Sequence, residues 1–368
     1  MNGRPPGGGI GHLRLFWEWF KIALFVVGGG YAIIVVADEV FGRRLKWIEE
    51  GELLEHLPII SSIPGLIAGN SAIYVGLKTC GRIGALVALA GVALPSLMIF
   101  LAVSVGFDFI PRGNVWIDGA FLGLRSALSG VIAGTIWRTL FKSRVDWSKG
   151  VGVEVPPLSG RERILALAAF AVCVAMAVFF AWDSFWPFLK FGCIAIGGGF
   201  PLVPFYDHAF VGPGTSLNLP PEDFSNLMAL TQMTPGPVSL NAATFFGFRL
   251  NGVFGSVVAS AALLTPSYIL LTAVLTGLDR WRRSRLVQAL VRLLKPVSVA
   301  LMSVALYRFC SLSVWGHAAD GGFVLRPFAL LLAVFAAVAV VRRWLSIMAL
   351  IFLCALLACV FSVTSSCI

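Results

Sequence analysis

The chain is poor in what a soluble enzyme is built from. Only 12% of its 368 residues are Asp, Glu, Lys or Arg, too few to cover globular domains of that length with solvated charge. Its four histidines, His12, His56, His208 and His317, lie far apart, and its seven cysteines, Cys80, Cys173, Cys193, Cys310, Cys354, Cys359 and Cys367, are scattered singly with no CxxC pair. Such spacing supports neither a zinc site nor a disulfide framework; most of these thiols read as small hydrophobes. No P-loop is present, which argues against an ATP-driven pump. No nucleophile–base arrangement and no cofactor motif stands out. No catalytic residue, metal or cofactor is therefore expected, and the chain is not read as an enzyme.

Apolar length is what the chain has in abundance. Hydrophobic residues make up 58% of it, and the mean hydropathy is +0.89. Runs such as 83–107, 164–182, 255–275 and 296–307 with its flanks carry few or no charges, and about 20 such residues span a bilayer. The net charge of +10 sits largely in short loops, Trp137–Gly150 and Asp279–Leu286. That is the pattern of positive-inside topology, not of a nucleic-acid partner. The N-terminus, MNGRPPGGGIGHLR, reads as a mobile cytoplasmic tail without a cleavable signal.

The sequence also repeats. Shifted by 171 positions, Pro64–Ser96 falls on Pro235–Ser267 without a gap, with 12 of 33 residues identical. Matches include Pro64/Pro235, Gly65/Gly236, Asn70/Asn241, Gly76/Gly247, Gly81/Gly252, Gly84/Gly255 and Pro95/Pro266, and Lys78 falls on Arg249. The glycine triplets Gly28–Gly30 and Gly197–Gly199 align at a shift of 169, with Trp17/Trp186, Lys21/Lys190, Tyr31/Phe200 and Asp38/Asp207. At 170, Arg125 falls on Lys295 and Arg138 on Arg308. Two homologous halves are expected, 1–183 and 184–368.

The apolar segments fall at 16–36, 57–77, 83–107, 117–137 and 164–182, then 187–207, 226–248, 253–277 and 287–309, followed by an apolar tail. Four crossings between the two basic loops would return both to one face, whereas the equivalent of loop 279–286, at 108–116, holds only Arg112. The segments containing Pro64 and Pro235 are accordingly read as crossing, each as two half-helices meeting near the middle, not as re-entrant. The tail is either two short helices or one span plus an interfacial piece. The expected fold is an all-α polytopic membrane protein, two homologous halves in an inverted-topology repeat with broken helices and about ten or eleven transmembrane segments.

Helix breaks in a bilayer are tolerated where they are buried in protein or line a cavity. Glycine lets a ligand approach backbone amides, and a helix restarting after a break turns its free N–H groups toward an anion. Gly28, Gly29, Gly30, Gly197, Gly198 and Gly199, with Pro64, Gly65, Pro235 and Gly236, are thus candidate substrate-binding positions. Asn70 and Asn241 are candidate amide donors. The alternative is that these glycines only let helices pack closely. Lys21 and Lys190 either attract substrate or snorkel to the interface. Arg125 and Lys295 are intramembrane cations and so functional candidates. Asp38 and Asp207 either carry a coupling proton or cap helices.

The runs GGGFPLVPFYDHAFV and MALTQMTPGPVSLNAATFFGFRLNGVFGSVVASAALLTPS, with GGGYAIIVVADEVF and IPGLIAGNSAIYVGLKTCGRIGALVALAGVALPS in the first half, resemble the chromate transporters over most of the chain. Pro235–Thr244 is the most specific stretch. The chain departs from the long members in carrying Gly-Gly-Gly-Tyr in its first half, and Leu66 stands where Pro237 does. The resemblance implies an inner-membrane protein of two antiparallel halves that exports chromate, driven by the proton-motive force. Chromate is a tetrahedral dianion close to sulfate, and backbone amides with one or two cations suit either. An anion channel or an uptake transporter on the same scaffold is the alternative. The expected partners are a small oxyanion, protons and the lipid bilayer, with a homodimer left open as the assembly.

Overall fold

The computed structural model describes residues 11–26, 29–60, 63–109, 114–141, 182–195, 199–281, 300, 302–304, 306–307, 309–311, 314–317, 323–342 and 347–366. Gly28, Gly197, Gly198, Lys295 and nearly all of the run 164–182 lie outside these residues.

The described chain is almost wholly helical. Its helices are α1 (His12–Phe25), α2 (Gly29–Asp38, continuing as a π-helical turn Glu39–Arg44), α3 (Glu52–Ile60), α4 (Ile67–Gly106), α5 (Val115–Phe141), α6 (Trp182–Ile194), α7 (Val203–Phe210), α8 (Pro221–Met233), α9 (Val238–Trp281), α10 (Pro327–Arg342) and α11 (Ile347–Ser366). One small antiparallel pair, β1 (Trp315–His317) and β2 (Phe323–Leu325), departs from an all-α description, with Gly316 opposite Val324. The chain folds as two compact units that each draw on both sequence halves. The first holds Met1–Ser104, Arg144–Gly199 and Pro235–Leu294; the second holds Val105–Ser143, Phe200–Thr234 and Lys295–Ile368.

In the first unit, α1 and α2 do not continue one another. Arg14 lies over the Trp47 ring at 5.5 Å, Glu18 Oε2 accepts from Arg44 at 3.1 Å, and the rings of Trp19 and Phe41 are 4.9 Å apart. Residue numbers that rise on one arm and fall on the other describe an antiparallel pair. At its tip α1 ends in the extended residue Val26 and α2 opens on Gly29. The same is true of α3 and the start of α4. Glu52, the first residue of α3, bonds Tyr74 and Lys78 about two and three turns into α4, while Asn70 bonds Ile60 at the end of α3. The Pro64–Gly65 break is the tip of this second hairpin. Each arm is about 14–21 Å long at 1.5 Å per residue, short of a bilayer core of about 30 Å. The segments 16–36 and 57–77 therefore fold back on themselves, which corrects the expectation that they cross. Hydropathy reports the length of an apolar run and not its direction.

The helix α4 is itself bent. Cys80 (φ −132°, ψ 16°) and Gly81 (φ 68°, ψ −158°) interrupt it, and Asn251 (φ −139°, ψ 30°) and Gly252 (φ 62°, ψ −151°) interrupt α9 at the equivalent place. A straight helix would separate Gly76 from Gly84 by about 12 Å. Instead a Cβ on Gly76 would stand 2.6 Å from the Cα of Ala85, and a Cβ on Gly247 would stand 2.8 Å from Gly255 carbonyl carbon. The two arms of α4, 67–79 and 82–106, thus run side by side with their backbones almost touching, as small residues permit in membranes. The second arm is long enough to cross, and Leu86, Leu94, Met98 and Val105 stand exposed along it. Bare apolar side chains on one face fit a hydrocarbon surrounding. Among the described residues, three helices are long and apolar enough to span a membrane, Ile67–Gly106, Val115–Trp137 and Val238–Ala273.

The second unit is organised by α5. A Cβ on Gly123 would stand 2.6 Å from Ala355, and one on Gly130 would stand 2.6 Å from Ala336. Gly119 and Gly134 meet Ser362 and Val340 in the same way. This glycine stripe seats α10 and α11 against the α5 backbone. The apolar tail is accordingly two separate helices, the first ending at Arg342.

Candidate functional site

The first unit buries a polar knot where the helix breaks meet. Gly65 has φ +131° and Gly236 φ +103°, values that side chains rarely adopt. Each is also pressed against a serine from the opposite sequence half. A Cβ on Gly65 would collide with Ser267 Oγ, and one on Gly236 would collide with Ser96 Oγ. Ser96 and Ser267 are themselves equivalent in the repeat, so one contact is made twice with the halves exchanged. Ala195, just before the second glycine triplet, and Gly199, its last residue, stand beside them. Gly65 N–H donates to Ala195 O at 2.5 Å, and a Cβ on Gly199 would stand 2.8 Å from Val238 and 3.1 Å from Ser239 N. Gly65, Asn70, Ala195 and Ser267 are thereby brought together at the first break, and Ser96, Gly199, Gly236 and Asn241 lie around the second, flanked by Pro64 and Pro235 respectively.

The two asparagines hold the breaks. Asn70 Nδ2 donates to Ile60 O (2.9 Å) and Ile63 O (3.1 Å), and Asn241 Nδ2 donates to Pro235 O (3.3 Å). The amide hydrogens that the sequence offered to an anion are engaged by carbonyls that the unwound chain would leave bare. What remains free to face an anion is backbone. The arm starting at Ile67 and the arm starting at Val238 each begin at a break, and the N–H groups of a helix's first turn have no partner within the helix.

Serine hydroxyls inside helices ordinarily bond the carbonyl four residues back. Ser71, Thr79, Ser104 and Thr244 do so here. Ser96 Oγ and Ser267 Oγ are buried and have no hydrogen-bond partner among the described residues, and the same holds for Asn70 Oδ1. Sequence reasoning passed over both serines, although they close the longest gapless match of the repeat.

The remaining candidates sit elsewhere. Lys21 Nζ pairs with Glu18 Oε1 at 2.8 Å and is 49% exposed, and Lys190 is exposed on α6. Arg125 belongs to the second unit, buried on α5, where its Nε donates to Phe121 O at 3.3 Å. Asp207 lies half-buried on α7 in that unit. Asp38 accepts from Gly51 N–H and Leu53 N–H, both at 3.0 Å, and so fixes the start of α3. Glu52 clasps the mouth of the same hairpin through Lys78, Tyr74 and the N–H of Glu49. Burial pushes its carboxyl up, and the bonds from Lys78, Tyr74 and Glu49 outweigh burial and hold it below its ordinary value. Among the described residues, no cluster of His, Cys, Asp and Glu can hold a metal ion.

The sequence is similar to known transporters. It is 25% identical over 351 residues to an uncharacterized transporter of Methanocaldococcus jannaschii, covering 82% of this chain and 85% of that protein. It is 25% identical over 295 residues to the chromate transport protein of Cupriavidus metallidurans, covering 70% and 72%. A probable chromate transport protein of Synechococcus elongatus is 27% identical over 298 residues, covering 70% and 74%. No solved structure matches. The family described as Chromate transporter matches twice, over residues 13–183 and 182–359. Two matches of half-chain length agree with the doubled Gly–Ser contact and the doubled turn at Gly81 and Gly252, and the chain belongs to the chromate transporter family.

Proposed function

We propose that the protein is a secondary active transporter that exports chromate, or a similar tetrahedral oxyanion such as sulfate, across the bacterial inner membrane as an antiporter coupled to an ion gradient. The observation that carries this reading is that each Pro-Gly break is buried against a serine of the opposite half, with Ala195 beside the first and Gly199 beside the start of the helix that follows the second. Two helices start there, and the positive dipole ends of helix starts suit a dianion. Proton coupling is part of the proposal. Asp38, with both carboxylate oxygens engaged by backbone, and Asp207 are the two candidate carriers.

We read the halves as inverted. Where a segment folds back it adds no crossing. If the second half repeats the first, both hairpins of that half drop out of the count between the basic loops. Two crossings, 164–182 and 253–277, then remain, and both loops still share a face. Three full crossings in the first half, an odd number, invert the second half relative to it.

The test is labelled chromate flux into liposomes bearing the purified chain, with and without an imposed pH gradient at fixed membrane potential, and with sulfate as competitor. Saturable, gradient-dependent uptake is expected. Uptake that follows only the electrochemical gradient of the anion, without saturation, would make the protein a channel.

A further inference from the structure

We propose that the tip of the first Pro-Gly hairpin is a binding site for a monovalent metal cation of the sodium type, formed by Asn70 Oδ1 and Ser267 Oγ. The argument starts from the orientation of Asn70. Its Nδ2 faces two carbonyls, Ile60 O and Ile63 O, and only a donor can face two acceptors. The amide orientation is thereby fixed, and the atom turned the other way is an oxygen. That oxygen is fully buried and has no partner among the described residues. Ser267 Oγ is equally buried and equally without a partner. Both crowd the Cα of Gly65: a Cβ there would collide with Ser267 Oγ and stand 2.8 Å from Asn70 Oδ1.

Two orphaned oxygens turned to one point call for a positive group, since a buried acceptor without a donor is unfavourable by about 1–3 kcal/mol. An oxyanion would be repelled by Asn70 Oδ1. A divalent ion of the calcium or magnesium type takes carboxylates, and none is at the tip. Neutral side-chain and carbonyl oxygens suit a singly charged ion, and the unwound backbone of transporters is where such ions are held. The Ile60 and Ile63 carbonyls each keep a lone pair after accepting from Asn70, and α3 ends here with its negative dipole end toward the tip. A cation at the end of α3 and an anion at the start of the arm 67–79 would neutralise one another across a single turn of chain, which couples their binding. This coupling rests on the transport reading above; the site itself does not.

The experiment is binding of radioactive sodium ion to the full chain in detergent, with no oxyanion present, competed with lithium, potassium and choline chlorides. Saturable binding that choline does not displace is expected. Ser267→Ala should weaken it about tenfold or more, as loss of one charge-assisted contact would. Ser104→Ala, whose hydroxyl bonds its own helix, should leave it unchanged. If Ser267→Ala proves unstable, Ser267→Cys takes its place, because a soft thiol is a poor ligand for a hard ion. Absence of saturable sodium binding to monodisperse protein, or binding indifferent to Ser267, would overturn the proposal and leave the tip to water. Chromate flux measured on the same preparation keeps that result separate from a failure of the transport reading.

Discussion

At the first Pro-Gly break one asparagine holds two carbonyls, Ile60 O and Ile63 O, while at the second its counterpart Asn241 bonds the break's own proline, Pro235 O, at 3.3 Å. The second break has a further proline, Pro237, where the first has Leu66. A proline fixes its own backbone angle and so needs less side-chain support. Side chains further along the two helices differ likewise. Tyr74 and Lys78 bond Glu52 in the first half; Phe245 stands at the place of Tyr74, and Arg249 lies over its ring at 5.2 Å. Duplicated backbone is thus held by partly different contacts in its two copies. What both copies keep is the glycine pressed against the other half's serine.

The largest expected effect tests what is kept. Gly65→Ala and Gly236→Ala should each destabilise by about 2–5 kcal/mol, from left-handed backbone strain and overpacking together, with chromate flux lost in both. Adding Ser267→Ala to Gly65→Ala should recover only part of the thermal midpoint, since the strain at φ +131° remains. A wild-type midpoint in either single variant would remove the contact from the fold's essentials.

The asparagines should separate the halves. Asn70→Ala leaves two buried carbonyls unmet and should destabilise by about 2–4 kcal/mol, and Asn241→Ala should destabilise less, since Pro237 fixes part of the second break. Both should weaken anion flux while the protein still inserts. Equal shifts in thermal midpoint would mean that Pro237 does not relieve Asn241.

Glu52 should give a smaller, pH-dependent difference confined to the first half. Its folded pKa lies below the ordinary 4.5. The bonded carboxylate therefore adds stability above that ordinary value, and the addition is lost as pH falls through the lower folded value. Wild type should melt above Glu52→Gln near neutral pH, and the gap should close in acid. A gap that widened in acid would contradict the assignment. Smallest of all, Lys21→Met should shift stability by about 0.5 kcal/mol or less, since its pair with Glu18 is half exposed.

Much of the duplicated scaffold is legible in the sequence because glycine and proline mark backbone geometry directly. The interruption at Cys80–Gly81 falls between the apolar runs 57–77 and 83–107, and that at Asn251–Gly252 falls between 226–248 and 253–277. The direction of the chain after Gly30 and Gly65 was not legible. An apolar run of 21 residues satisfies a span whether it passes straight or doubles back. Ser96 and Ser267 were equally silent, because a serine within a helix normally satisfies itself on its own turn. Only the crowded meeting of the halves shows that these two do not. Asp38 carried two meanings in the sequence, and its two bonds to the start of α3 give it an anchoring part.

The exchange of contacts between halves also bears on how the chain is made. Gly65 finds its neighbours Ala195 and Ser267 far downstream. At about 5–20 residues per second, a ribosome needs roughly 10–40 s to travel from the first break to the serine that covers it. Through that interval the nascent first half holds an open polar tip with nothing of its own to close it. Assembly of the first half is in this sense posthumous to its synthesis, and a truncation before Ser267 leaves a chain whose earliest hairpins can be inserted but not finished.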